Sequence, residues 1–139
     1  MDSPQRVIFV CTHNSARSQM AEGMLRALGG DRFEVHSAGT EAMRVRPEAI
    51  AAMAEIGIDI GSQTSKTLEP YLGQSFSWLI TVCDDAKEAC PTLPGVRQQA
   101  HWSIEDPSGV DGDEETRLNA FRAARDDLRE RIRAFIRVN

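Results

Sequence analysis

Arg6-Val-Ile-Phe-Val10, then Cys11-Thr-His-Asn-Ser-Ala-Arg17-Ser18, then a run carrying Met20, Met24 and Leu28 at steps of four: these three pieces in succession decide the fold. The first is short, apolar and rich in β-branched residues, which suits a strand buried on both faces. The second is polar and reads as a loop. The third, with Ala21 and Leu25 beside the stepped residues, predicts an amphipathic helix that Gly29-Gly30 ends. Outward from this unit the alternation continues. Phe33-Glu-Val-His-Ser37 reads as a second strand. Pro47 opens a helix with Ile50, Met53 and Ala54 on one face and Gly57 at its end. Ser77 to Val82 is a third buried strand that delivers Cys83 at its C-terminal end, and Gln98 to Trp102 is a short fourth. A last helix, Glu115 to Val138, carries an apolar stripe of Leu118, Phe121, Ala124, Leu128, Ile132 and Phe135. Alternating strands and helices predict an α/β fold: a four-stranded parallel sheet flanked by helices on both faces. In such sheets ligands bind beyond the C-terminal strand ends. Cys11, Cys83 and Asp106-Pro107 all follow such ends.

The 139 residues fit one domain, 1–139, with no internal repeat or linker. A net charge of −5 argues against a nucleic-acid partner. The seven arginines of the last helix are interleaved with Asp126, Asp127 and Glu130, the pattern of a solvated face. No apolar run approaches the roughly 20 residues of a membrane span, and the N-terminus lacks a secretory pattern. The expected protein is cytoplasmic and monomeric, with three cysteines that are reactive rather than structural.

The Cys11 loop sits where backbone N–H groups converge at a helix N-terminus, a cradle for a tetrahedral oxyanion. Arg17, six residues after Cys11, brings a planar fork that grips two oxygens at once. The same field favours a thiolate, to which Ser18 can donate a hydrogen bond. The candidate substrate-binding set is therefore Thr12, His13, Asn14, Ser15, Ala16, Arg17 and Ser18, around the nucleophile Cys11. Against this stands a small buried cysteine with no chemistry, a common fate of free thiols. C-x5-R is a loose pattern; its place between strand and helix is what favours chemistry. The glycines and lysine of an ATP-binding P-loop are missing.

The stretch Val10-Cys-Thr-His-Asn-Ser-Ala-Arg-Ser-Gln-Met-Ala-Glu-Gly23 closely resembles the N-terminal signature of arsenate reductases built on the low-molecular-weight tyrosine phosphatase fold. The likeness runs on in order through Ser37-Ala-Gly39, Asp59-Ile60, Thr64-Ser65, Cys83-Asp84, Cys90-Pro91, His101-Trp102 and Asp106-Pro107.

Cys83 and Cys90 are seven residues apart. An ideal helix would separate their Cα atoms by roughly 10 Å, and a disulfide tolerates at most about 7 Å. Either the segment between them is irregular or it unwinds when a bond forms; Pro91, Pro94 and Gly95 favour a deformable stretch. This pair reads as a redox switch. Inert cysteines are one competing account. A zinc site is another, weakened by the absence of a close C-x2-4-C pair. The resemblance implies a relay. Cys11 attacks arsenate, Cys83 attacks Cys11 as arsenite leaves, and Cys90 moves the disulfide to Cys83–Cys90. The implied reductant is thioredoxin, with a potential of roughly −270 mV. No cofactor and no catalytic metal is implied.

Asp-Pro is a common turn pair. Expulsion of an oxygen leaving group from arsenate or a phosphate ester nevertheless needs a positioned acid, and the resemblance assigns that role to Asp106. Asp111, Asp113 and Glu114 read as loop solvation and helix N-terminal charge. Asn14 and Ser15 are expected to brace the loop by side-chain to backbone bonds. His13 stands where the family often has Gly; His tolerates positive φ better than most residues, and it is expected at the entrance. Ala16 stands where the family often has Cys. Some members hold potassium near positions matching Asn14, Glu22, Thr64 and an Asp. Here Lys66 replaces the Asp, so activity indifferent to potassium is expected. The alternatives are a low-molecular-weight tyrosine phosphatase working through a Cys11 phosphocysteine, and a non-catalytic oxyanion or redox sensor.

Overall fold

Val7, Ile8, Phe9 and Val10 are all fully buried, as their unbroken apolar run requires of a central strand. They belong to β1 (Gln5–Cys11). The computed structural model describes residues 3–84 and 93–139, in which β1 is followed by α1 (Arg17–Gly29), β2 (Phe33–Gly39), α2 (Pro47–Ala54), β3 (Phe76–Thr81), β4 (Val96–His101) and α3 (Glu114–Val138). The sheet order is β2-β1-β3-β4, and every neighbouring pair is parallel. The chain leaves β1 toward β2 and comes back to β3 on the other side. The order therefore reverses between β1 and β3, which opens a crevice beyond their C-terminal ends. Cys11 ends β1 at that crevice.

Side chains alternate across the sheet. Val7 and Phe9 face Met20, Met24 and Leu25 of α1, Met53 of α2, and Leu128 and Ile132 of α3 in one apolar cluster. Ile8 and Val10 face the other way, into a smaller cluster with Ala38, Leu79, Leu93 and Tyr71. Tyr71 ends the 3-10 turn Glu69–Tyr71, the helical element on this second face among the described residues, whereas α1, α2 and α3 all pack on the first. The edge strand β4 exposes Arg97, Gln98 and Gln99, polar groups that discourage strand addition.

The departures from expectation lie at element ends and on helix faces. Leu28 is 43% exposed, because it lies in the last turn of α1, just before the chain turns into Gly30–Arg32. Ala54 is exposed, and Ala49 and Ala52 take its place in the core. β3 begins at Phe76 and ends at Thr81, so Cys83 lies two residues past the strand. β4 begins at Val96, which pairs with Phe76, and stops at His101. α3 begins one residue early because Asp113 caps it, accepting from the Thr116 N–H at 2.8 Å. That amide holds the Asp113 carboxyl below its ordinary pKa. The solvated arginine face is also broken at one position. Arg125 is buried and donates to the Ala52 carbonyl at 2.8 Å and to Glu55 at 2.7 Å, tying α3 to α2.

Candidate active site

The loop after β1 is held by three other segments of the chain. Thr12 offers its carbonyl to the Glu41 N–H and the Thr40 hydroxyl, each at 3.0 Å. The His13 carbonyl accepts from the Ser65 hydroxyl at 3.2 Å. The Ser15 carbonyl accepts from the Arg46 N–H at 2.9 Å. Asn14 is fully buried and has a φ of 50°. It is the one non-glycine residue with positive φ among those described, so the left-handed position anticipated for His13 belongs to its neighbour. Asn14 braces the loop through its side chain, as expected: its Oδ1 accepts from the Lys66 N–H at 2.8 Å. Ser15 contributes its carbonyl instead.

Close approach of β2 completes the frame. A Cβ on Gly39 would lie 2.7 Å from the Thr12 carbonyl oxygen, 2.8 Å from the Asn14 nitrogen and 2.8 Å from the Cys11 carbonyl oxygen. These are backbone atoms that cannot step aside, so only glycine fits.

Within this frame Cys11 is 2% exposed, and its Sγ lies 2.8 Å from the Ser18 hydroxyl. Ala16 is the N-cap of α1 and offers no side-chain cap, which leaves the first N–H groups of the helix facing the loop. Arg17, 3% exposed, begins α1. It donates to the Ile104 carbonyl at 3.0 Å, and its Nη2 is 3.6 Å from Asp106 Oδ2. Asp106 is thereby brought to the Cys11 loop from the far edge of the sheet. Its other oxygen, Oδ1, accepts from the Ser108 N–H at 2.9 Å, capping the 3-10 turn Pro107–Gly109. Thr12, His13, Asp84, Glu105, Asp106, Gly109 and Val110 line a cavity of about 360 Å³ at the entrance, where His13 was expected.

Cys83 is fully buried in the same apolar cluster as Cys11. Its thiol donates to the Val10 carbonyl at 3.8 Å, and the Val82 N–H donates to that same oxygen at 2.9 Å. β1 and β3 are paired neighbours, so the two cysteines follow adjacent strand ends. Both are free thiols. Cys90 lies outside the described residues.

Three groups that matter here received no role from the sequence. Gly39, Ser37 and Gln19 appear in it only within quoted motifs or as part of a strand. Gln19 donates to the Asn14 main-chain carbonyl at 3.0 Å and to its Oδ1 at 2.9 Å. A glycine ending the strand beside the one that ends in Cys11 was the one local signal available. The potassium donor set can also be tested. Lys66 Nζ donates to the Thr64 carbonyl at 2.7 Å and stands 3.9 Å from Glu22 Oε1. An ammonium already occupies the space between that carbonyl and that carboxylate, so these residues do not suit a second cation.

The chain is 43% identical to an arsenate reductase of Halalkalibacterium halodurans over 93% of both chains. A solved structure described as an arsenate reductase in the phosphate binding state superposes with a TM-score of 0.80 at 38% identity, covering 95% of this chain and 96% of the other. A thioredoxin-dependent arsenate reductase of Corynebacterium glutamicum superposes at 0.64 and 25% identity, covering 96% of this chain and 65% of that one. The pattern of the low molecular weight phosphotyrosine protein phosphatases matches residues 6–138, and the chain belongs to that family.

Proposed function

We propose that the chain reduces arsenate to arsenite through a relay of Cys11, Cys83 and Cys90, with thioredoxin as reductant. The observation that carries this reading is the placement of Cys83. Cys83 is a second, fully buried thiol, two residues past the neighbouring strand β3, and it donates to the carbonyl of Val10, the residue before Cys11; ester hydrolysis has no use for it. The Cys11 thiolate attacks arsenic while the α1 N-terminus and Arg17 hold the oxyanion. Asp106 protonates the departing oxygen, which leaves as water. The Cys83 thiolate then attacks Cys11 Sγ. The sulfur–arsenic bond breaks, its electron pair stays on arsenic, and arsenic passes from the +5 to the +3 state as a disulfide forms. Cys90 attacks Cys83 and frees Cys11, and one external dithiol reduces the resulting Cys83–Cys90 disulfide. Two electrons enter and two are consumed. A relative named for thioredoxin dependence supports the choice of reductant. Free thiols that must be regenerated suit the reducing cytoplasm, where we place the protein as a monomer.

The test is arsenate-dependent NADPH consumption with thioredoxin and its reductase, beside hydrolysis of a phosphate monoester. Arsenate-dependent turnover is expected, and Cys90→Ser should stop after at most one cycle, with no Cys83–Cys90 bridge in peptide maps. Sustained turnover by that variant overturns the relay. The second reading, a phosphatase, draws on the same Cys11, Arg17 and Asp106 and on the family match. Ester hydrolysis without arsenate-dependent thiol oxidation would establish it.

A further inference from the structure

In the reaction proposed above, Asp106 protonates the oxygen that leaves, so that oxygen has to point at Asp106. An oxyanion seated on the α1 N-terminus and Arg17 then turns its fourth oxygen into the entrance cavity. That cavity is lined from the β4–α3 loop by Asp106, Gly109 and Val110, and from the Cys11 loop by Thr12 and His13. In arsenate the fourth oxygen carries at most a hydrogen. In a phosphate monoester it carries the organic group, which must share the cavity with the His13 side chain. The cavity holds about 360 Å³, near the lower end of the roughly 300–1,000 Å³ that small-molecule sites occupy.

The two linings differ in what stands behind them. Behind the Asp106 loop lies the groove of about 260 Å³ edged by Ala120 and Ala123 of α3, so that loop has space to give way. The Thr12–His13 backbone has none. The Glu41 N–H holds the Thr12 carbonyl at 3.0 Å, and the Ser65 hydroxyl holds the His13 carbonyl at 3.2 Å. The Ser65 oxygen accepts in turn from the Met43 N–H at 2.9 Å. Gly39 backs the loop so closely that a Cβ there has no room. On this fixed backbone stands the half-exposed His13 ring, its Nε2 3.6 Å from Glu41 Oε2. A side chain on a backbone that cannot recede resists extra atoms, because crowding it forces strain on its neighbours.

We propose that His13 is a specificity-determining residue whose ring screens, by size, the group carried on the fourth oxygen. With the ring in place the site takes bare tetrahedral oxyanions and turns away monoesters of aromatic alcohols. The inference rests on the oxyanion site proposed above and not on the later steps of the relay.

The experiment is calorimetric binding of inorganic phosphate and of phenylphosphonate, whose phosphorus–carbon bond is not hydrolysed. It is run on wild type, His13→Ala and His13→Phe, with thermal melting to confirm folding, beside hydrolysis of p-nitrophenyl phosphate. The readout is the ratio of the two affinities. Both ligands are anions, so the carboxyls of Asp84 and Glu105 in the cavity lining act on both and fall out of that ratio. His13→Ala should shift the ratio toward phenylphosphonate by about tenfold, the low end of what a few atoms are worth in substrate discrimination. It should raise kcat/KM for p-nitrophenyl phosphate by a similar factor. His13→Phe keeps the bulk without the ring nitrogens and should keep the wild-type ratio. An unchanged ratio in folded His13→Ala overturns the proposal, because the ring then screens nothing. An equal shift in His13→Phe also overturns it, because the nitrogens rather than the size then set the preference. Should His13→Ala not fold, His13→Asn, also smaller than histidine, decides in its place. Wild type that binds no inorganic phosphate would refute the oxyanion site itself, and this proposal with it.

Discussion

The Cys11 loop and the Asp106 loop meet at the same crevice, but they are held in opposite ways. The first is buried from Asn14 to Ser18 and is tied by hydrogen bonds to Thr40 and Glu41, to Arg46, and to Ser65 and Lys66. The second has exposed residues at Glu105 and Gly109 and lies between two cavities. On one side is the entrance of about 360 Å³. On the other is a groove of about 260 Å³ lined by Ile104, Pro107, Ala120, Ala123 and Ala124. The Arg17 side chain ties the Asp106 loop to the Cys11 loop. The contrast fits the proposed division of labour. An oxyanion cradle works because its dipoles are in place before the anion arrives. An acid need only reach the departing oxygen, and its loop has to let substrate in and product out.

Two substitutions test that contrast. Asp106→Asn should lower kcat by about 100- to 1,000-fold, within the usual range for a lost general acid. Inorganic phosphate binding and Cys11 alkylation should persist in it, because the cradle is untouched; calorimetry and peptide mapping check both. Gly39→Ala should lower turnover by about 100-fold, the scale of a displacement near 1 Å in a reacting group. It should also weaken phosphate binding and slow alkylation, since the added carbon meets three backbone atoms of the cradle. If Gly39→Ala impaired turnover alone, the cradle would be as tolerant as the acid loop and the contrast would fail.

A third prediction lies outside both loops. Arg122, and after it Arg125, holds the Glu55 carboxyl down at about 2. A depressed carboxyl adds stability above its unfolded value, 4.5, and that stability is lost as pH falls from there toward 2. The melting temperature of Glu55→Gln should therefore lie below wild type at pH 7 and approach it on acidification, with turnover unchanged at neutral pH. The smallest effect is expected from the cation. With the Lys66 ammonium already on Thr64 and Glu22, rates in KCl and NaCl at equal ionic strength should agree. A large gain specific to KCl would show that the cradle's support depends on an ion from outside.

Much of this was legible in the chain because it is local. The strand, loop and helix around Cys11 follow from residues within one turn or one strand of each other. Cys11 and Arg17 share a loop by spacing alone. Asp106 was legible as a turn residue, and only its likeness to a known motif marked it as an acid. The misses have a common cause. Leu28 and Ala54 fit a helical period that says nothing about where a helix runs past its neighbours. Arg125 looked solvated because its charge pattern is that of a surface, and only the approach of α2 buries it. Ser37 and Gly39 look like ordinary strand residues until β2 is laid against β1.

By itself the sequence determined the order of strands and helices, the polar loop that presents a thiol at a helix start, and a net charge of −5. Hydrophobic period, turn chemistry and net charge are properties of neighbouring residues, and they survive without a fold. Only the tertiary structure decided which backbone touches the loop, which way the Asn14 amide faces, and that the buried Cys83 thiol meets the Val10 carbonyl. Each of these depends on residues from 23 to 73 positions apart meeting at hydrogen-bond distance, and such meetings arise from sheet order and packing.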